Sequence, residues 1–470
     1  MSFSPAVCSA QTVAGNSSDT DIVDVGRIAV EEVRLKSEVT LRGLIESESP
    51  RQTVFVEVFR PKGKQTYLRI RPLENADIAS VKRLSADERK PVERLVAETR
   101  DRVWIEAGRM DAVQFRVSRE EGRVVYRYEG PWFDLTSTAD DESTRRSVVR
   151  LEQAFLAYRR ALPPRISPQS KLSVLLFGTS DEYQEHLQRA GLDLANPAFY
   201  SVRENRIAAG ADLVAFGQQL SQSRSENDAV RRQYDDAAAA LSGELKKLNR
   251  TLADQGMSRD ERTQEIRAWR TRFQNEVAAA RRQVRAVERA NTTKFNRFAE
   301  RLLAQLYHEA FHAYVENYAF RHGEAKRQLP RWLNEGLAQV FEAAIFEADT
   351  LRLDAPHPKS LALLQADLRQ APPLRLADLL SADDAPFVAS HQSDHRAAKR
   401  HYLHAWGFAY YLIFGPARLD PAKIELLASR DQDSARHLEE LLGKPLDEIE
   451  RDWRKAMLEM SPGTTIVIEE

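Results

Sequence analysis

Leu302-Leu303-Ala304-Gln305-Leu306-Tyr307-His308-Glu309-Ala310-Phe311-His312-Ala313-Tyr314 is the stretch on which the reading of this chain turns. It continues a long Pro-free segment with helical texture, so a helix is expected through it. On a helix, His308 and His312 stand four apart and share one face, where two imidazoles can bind one metal ion from two corners. Glu309, beside the first histidine, falls near a remaining corner, where a water sits. Zinc lowers the pKa of such a water to about 7, and a neighbouring carboxylate can take its proton as it attacks a carbonyl. A chain of 470 residues with 10 His would contain this pattern by chance at most about 0.03 times. The pentapeptide is therefore suggestive, and a third ligand is needed to make it specific.

Trp332-Leu333-Asn334-Glu335-Gly336-Leu337-Ala338-Gln339-Val340-Phe341-Glu342 provides one. It follows a polar loop and Pro330, a helix-start signal. Catalytic zinc sites use three protein ligands and one open position, and hydrolytic sites built on two His often take a carboxylate as the third. Two packed helices would then supply His308, His312 and Glu335.

His-Glu-x-x-His followed by Trp-Leu-Asn-Glu-Gly-Leu-Ala resembles the gluzincin metallopeptidases, and most of all the bacterial peptidase-MA-like family of unassigned substrate. The resemblance runs from about Gly130 to Trp453, interrupted by a helical arm, and leaves out the N-terminal region. It implies His308, His312 and Glu335 as ligands of one zinc ion and Glu309 as general base. It also implies that an extended peptide lies along the Ile207 strand by β-augmentation. The Gly-x-Met-Glu-Asn stretch of zinc aminopeptidases is absent, so exopeptidase action is not implied. Gln339 stands where thermolysin-like enzymes carry an Asp, which leaves no named carboxylate behind the histidines, and Tyr318 stands where a metzincin has its third His. The family often carries a Tyr before an Ala-Trp pair on a later helix. His401-Tyr402-Leu403-His404-Ala405-Trp406 matches, naming Tyr402 as the oxyanion donor, with Tyr410 and Tyr411 as competitors.

Upstream of the motif, residues 218–298 lack Pro almost entirely and are crowded with Glu, Arg, Gln and Ala. Leu241, Leu245, Leu248 and Leu252, then Ile266, Phe273, Ala280 and Val287 with Val277, Val284, Asn291 and Phe298, give the spacing of two antiparallel coiled-coil helices. The turn falls at Gln255-Gly256-Met257, and Ser258 to Glu261 form a capping box for the second helix. Such an arm is a candidate surface for a protein partner. Its continuity with the zinc helix also suggests that tilting it could shift His308.

Residues 130–217 read as an α/β segment: a helix carrying Val148, Leu151, Phe155 and Tyr158, a buried strand Leu172 to Phe177, a capping box at Thr179 to Glu182, and a short strand at Ile207 to Gly210. Residues 21–129 alternate apolar and polar positions, as at Val33, Leu35, Val39 and Leu41 and at Val54, Val56 and Val58. A Pro61-Lys62-Gly63-Lys64 turn follows, with further strands at Tyr67 to Ile70, Val103 to Ala107, Val113 to Val117 and Val124 to Tyr128, and a helix near Ala86 to Thr99. The expected fold class is α+β: a disordered tail (1–20), a β-rich N-terminal domain (21–129), and a zincin-like metallopeptidase domain. The α/β half of that last domain (130–217) is separated by the coiled-coil hairpin (218–298) from the zinc-site helices and C-terminal helical subdomain (299–470).

Composition narrows the alternatives. Lys plus Arg number 69 and Asp plus Glu 70, so the chain lacks the basic excess that nucleic-acid binding usually needs. One cysteine, Cys8, can build neither a disulfide nor a thiolate metal site, which leaves His and carboxylates to hold any ion. No apolar run approaches the ~20 residues that span a bilayer. Cys8-Ser9-Ala10-Gln11 resembles the small-residue end of an export signal whose beginning lies further upstream, which favours an exported, periplasmic location over a cytoplasmic one. Trp332 reads as packing, and the polar stretch holding His391, Asp394, His395 and His401 reads as a solvated loop or helix start. The function expected is a zinc-dependent, endopeptidase-like hydrolase acting on peptide or protein. The alternative is a non-catalytic metal-binding scaffold that recruits partners through the arm.

Overall fold

Alternating apolar and polar residues over Glu31–Leu35 (β1), Thr40–Glu48 (β2), Gln52–Phe59 (β3) and Tyr67–Glu74 (β4) give each strand one apolar face. With Ile78–Lys82 (β5) they form an antiparallel sheet of order β4-β3-β2-β1-β5, packed around Val33, Leu41, Ile45, Phe55 and Leu73. This sheet belongs to the first of two units, which ends at Val92; the second runs from Glu93 to Pro462. The structure, a computed structural model, describes residues 28–460 apart from 61–65, 321–327, 348–349, 353–355, 371, 373, 383–394, 414–416, 418, 420 and 429–432. Cys8 and the tail, the Pro61 to Lys64 turn, His391 and Asp394 lie outside the described residues.

Helix α1 (Ala86–Ala112) is longer than its expected Ala86 to Thr99. The expected strand Val103 to Ala107 falls inside it. Val103, Trp104 and Ile105 are strand formers one by one, but their neighbours are Glu, Arg and Ala, and the buried Val96 and Met110 recur after nearly four helical turns. Strands β6 (Arg116–Glu120) and β7 (Arg123–Glu129), expected to belong with the N-terminal strands, join the second unit instead, because β7 pairs antiparallel with β8 (Phe133–Ser137).

The sheet of the second unit has the order β10-β11-β9-β8-β7-β6. Strands β8, β9 (Leu172–Phe177) and β11 (Arg206–Gly210) are parallel, with helix α2 (Asp141–Ala161) crossing over between β8 and β9. Helix α3 (Ser180–Arg189) is capped by Thr179, which accepts from the Glu182 amide. The Glu182 carboxylate does not close the box; it binds the Thr138 hydroxyl and the Gly178 amide, tying the helix to the end of β8. The Ile207 strand, β11, is not the edge. Strand β10 (Ala198–Ser201) pairs antiparallel with it and takes the edge position.

Two long helices follow, α4 (Leu213–Asp254) and α5 (Arg259–Tyr314), joined at Gly256, whose φ of 82° lies in the left-handed region that glycine enters freely. Ser258 and Glu261 form the complete capping box. The heptad stripe is buried at Val284 and at Asn291. Elsewhere beyond Val284 the buried residues of this stretch are Glu288, Phe295 and Ala299, while Phe298 is exposed and stacks on Phe216. The stripe rotates because 3.6 residues per turn outpace a 3.5-residue repeat, while α5 still lies against Phe216 of α4. Near that point Arg146 of α2 donates to Thr292 at 3.2 Å and Arg150 to Asn296 at 2.6 Å, stapling the root of the arm.

The C-terminal half of α5 packs on α2, where the Tyr158 hydroxyl donates to the Tyr307 carbonyl at 2.7 Å. It also packs on α6 (Arg331–Glu342), which lies in turn against α9 (His395–Ile413); α7 (Pro358–Leu368), the short α8 (Leu376–Leu380) and the C-terminal helix Leu446–Glu459 join this helical layer. Gly336 is what allows α6 and α9 to meet, since a Cβ there would lie 2.4 Å from the Ala405 carbonyl oxygen. The molecule is thus a mixed α+β protein with a β-rich N-terminal region and a helical C-terminal part. None of its described helices is long and apolar enough to cross a membrane.

Candidate metal centre

Helical spacing on α5 turns His308 and His312 to the same side, and α6 brings Glu335 up to them. His308 Nε2 and His312 Nε2 are 3.1 Å apart, and Glu335 Oε2 lies 3.4 Å from the first and 3.5 Å from the second. A tetrahedral ion with ligand bonds of about 2.0–2.1 Å needs edges of about 3.3–3.4 Å between its donors. The three edges therefore suit one small ion at a common centre. Among the described residues these three form a group able to hold a metal.

The electrostatics agree with the geometry. Glu335 is 2% exposed, its Oε1 is bound by Arg331 at 2.9 Å, and its Oε2 is buried with no hydrogen-bond donor. A carboxylate oxygen left so is costly unless a cation completes it. Burial works against charge on Glu335, but His312 and His308 hold its carboxyl well below the usual carboxylate range. Burial likewise disfavours a charged His308, and Glu335 and Glu342 outweigh it, holding the imidazole well above the ordinary histidine value. The same negative surroundings favour a bound cation.

Glu342 is the residue that sequence reasoning missed. Its Oε2 lies 3.2 Å from His308 Nδ1, the ring nitrogen facing away from the other ligands. Gln339, the position compared with other enzymes, instead donates to the Tyr402 carbonyl at 3.1 Å. The signal was the spacing Glu335, Gln339, Glu342: steps of four and three place all three on one stripe of α6.

Glu309 is held at both oxygens. Gln305 Nε2 donates to Oε1 at 2.8 Å, and the backbone amide of Tyr200 on the edge strand donates to Oε2 at 2.9 Å. A cleft of about 1560 Å³ opens here, lined among others by Tyr200, His308, Glu309, His312, Glu335 and Tyr402. Tyr410 and Tyr411 are buried and do not line it, so of the three candidate tyrosines Tyr402 is the one that lines the cleft.

Residues 302–419 match the model of a family described as proteins of unknown function, DUF1570. The DUF1570 match begins on α5 just before the histidines and ends after α9, so it takes in His308, Glu309, His312, Glu335, Glu342 and Tyr402. No curated protein matches the chain.

Within the same segment, Trp332 is fully buried and donates to the Ser434 hydroxyl at 3.2 Å, in keeping with a packing role. His395 opens α9 and His401 lies within it. His404, unremarked in the sequence, is 1% exposed and lies 2.7 Å from Asp367, which also receives Arg400 at 2.9 Å. Burial lowers the His404 pKa and Asp367 opposes it, so this pair braces α9 against α7 with a neutral imidazole.

Proposed function

We propose that this protein is a zinc-dependent metallopeptidase, endopeptidase-like, with a gluzincin arrangement of its site. The observation that carries the reading is the buried, donor-less Oε2 of Glu335 set 3.4 and 3.5 Å from two imidazole nitrogens. His308, His312 and Glu335 would hold the ion, a donor set that suits zinc. When bound, zinc supplies Lewis acidity, polarising a carbonyl and acidifying water.

The chain's own groups do the rest. Glu309 takes the proton of the attacking water and delivers it to the leaving nitrogen. The hydroxyl of Tyr402, which lines the cleft, donates to the oxygen that becomes negative as the carbonyl is attacked. Strand β10 offers an extended peptide its outer main-chain edge, with the substrate backbone running past Glu309. An exported location fits the reading but carries none of its weight.

The alternative, a metal-binding scaffold that recruits partners through the α4–α5 arm, predicts an ion without chemistry. Zinc content and cleavage of a random peptide library, measured on the parent and on Glu309→Gln, separate the two. The peptidase reading expects equal zinc in both and a loss of cleavage of about 10²- to 10⁴-fold in the variant. Equal cleavage by both proteins, or none by either, favours the scaffold.

A further inference from the structure

The edge strand is tethered to the metal helix by side chains to which the reaction itself assigns no part. Gly210 donates its amide to the Pro197 carbonyl at 2.9 Å, which makes those two a hydrogen-bonded pair of the β10–β11 hairpin. Pairs alternate along an antiparallel ladder, so in the register Tyr200 to Ile207 the pair is non-hydrogen-bonded, and the N–H and C=O of Tyr200 point away from β11. These are the groups an added strand would use. In this structure the N–H is taken by Glu309.

What sets the strand at this distance is a closed pair of amides. Asn205 ends the hairpin turn with φ of 46°, a left-handed conformation that asparagine tolerates better than most side chains. Its Nδ2 donates to Asn317 Oδ1 at 3.0 Å, and Asn317 Nδ2 donates back to Asn205 Oδ1 at 2.7 Å. The Tyr200 hydroxyl donates to the same Asn205 oxygen at 3.0 Å. Each amide is also anchored from behind, Asn205 on the Ser170 carbonyl at 3.0 Å and Asn317 on the Ala313 carbonyl at 2.8 Å. Asn317 is buried and sits in a π-helical turn, Val315–Ala319, that ends the metal helix. Hydrogen bonds therefore run in a ring from Ala313, the residue after His312, through Asn317, Asn205 and Tyr200, and back to Glu309 on the same helix.

We propose that Asn205 and Asn317 are positioning residues that fix strand β10 over the metal helix, so that the Tyr200 amide holds Glu309 until an extended peptide pairs with the strand and takes that amide. Two neutral amides suit the task, since each offers both donor and acceptor and neither titrates. The inference deepens the peptidase reading and rests on it for the identity of the incoming chain; the tether itself does not.

The test compares zinc-loaded parent, Asn205→Gly, Asn317→Ala and the double variant, with Asn205→Asp as the conservative control. Glycine keeps the left-handed turn while deleting the amide, and aspartate keeps the oxygen that accepts from Asn317 and Tyr200. Amide hydrogen exchange over 198–201 is expected to speed up by about five- to tenfold in each single variant, the effect of one net hydrogen bond. The double variant should be no worse than either single, Asn205→Asp should fall between parent and Asn205→Gly, and zinc content should stay at the parental level. On the best-cleaved member of a random decapeptide library, KM rises by about the same factor and kcat changes less. Unchanged exchange in both single variants, or additive effects in the double, overturns the tether. Faster exchange with unchanged KM overturns the peptide-handling role. If no peptide is cleaved by any form, the peptidase reading and the handling role fall together, while exchange still decides the tether.

Discussion

Nδ1 of His308 lies 3.2 Å from Oε2 of Glu342, and Glu342 stands two helical turns beyond Glu335 on the same stripe of α6. One helix thus presents a carboxylate to the candidate metal site and, seven residues on, another to the back of an imidazole on the neighbouring helix. A carboxylate at Nδ1 keeps the proton there and leaves the Nε2 lone pair for the metal. Glu342→Ala is expected to weaken zinc binding by about 10- to 100-fold, read by competition with a chromophoric chelator. Parental affinity in that variant would remove Glu342 from the site.

Gly336 adjoins the ligand Glu335 and meets α9 where a Cβ would lie 2.4 Å from a backbone carbonyl oxygen. Gly336→Ala must push the helices apart, at an expected cost of about 1–3 kcal/mol. Thermal unfolding should show a lower Tm, and zinc affinity should fall with it because Glu335 moves with the helix. A parental Tm would mean that α9 yields without strain.

Glu106 lies between Arg150, at 2.9 Å, and Arg146, at 3.5 Å. Burial raises its pKa, but the two guanidinium groups prevail and bring it down to about 2. A carboxyl depressed in the folded state stabilises it fully above the unfolded pKa, near 4.5, and this contribution is lost as pH falls toward 2. Urea unfolding of the parent and of Glu106→Gln should therefore differ most near neutral pH and converge as the pH falls from about 5 to about 2. A difference independent of pH would assign the effect to packing.

The arm is fastened near its root, where Asn227 donates to Glu288 at 3.0 Å in a buried contact and Arg146 and Arg150 reach Thr292 and Asn296. Beyond those contacts its described residues are half-buried or exposed, apart from the buried Val284. Excising 232–283 with a short turn in its place should leave zinc content and Tm close to parental. The remainder loses little apolar burial, and surface changes away from such contacts are usually worth no more than about 0.5 kcal/mol. A large fall in either would make the tip part of the folding unit. A gain in peptide cleavage would support the idea that the arm restrains the site.

The candidate ligands were legible because their grouping is written in helical spacing: His308 and His312 share a face by period alone, and Glu335 comes with a helix-start signal of its own. Glu342 was one step less visible. Its role depends on the rotation of α6 about its axis, which only packing against α5 and α9 decides. Strand β10 has four residues, too few for a periodic signal, so the edge was assigned to the more apolar Ile207 strand. The run from Val103 to Ala107 shows the opposite error, a strand-forming composition overruled by its helical neighbours. Asn205 and Asn317 are 112 positions apart, and nothing local marks either as the other's partner.

Helix α5 passes without a break from the tip of the arm to the second histidine, and the two arginines of α2 grip it partway along. At about 1.5 Å per residue, roughly 50 Å of rod lies on the outer side of that grip and roughly 25 Å between it and the imidazoles. Were the rod rigid about that grip, a sideways push at the far end would reach the candidate ligands at about half its size and in the opposite direction.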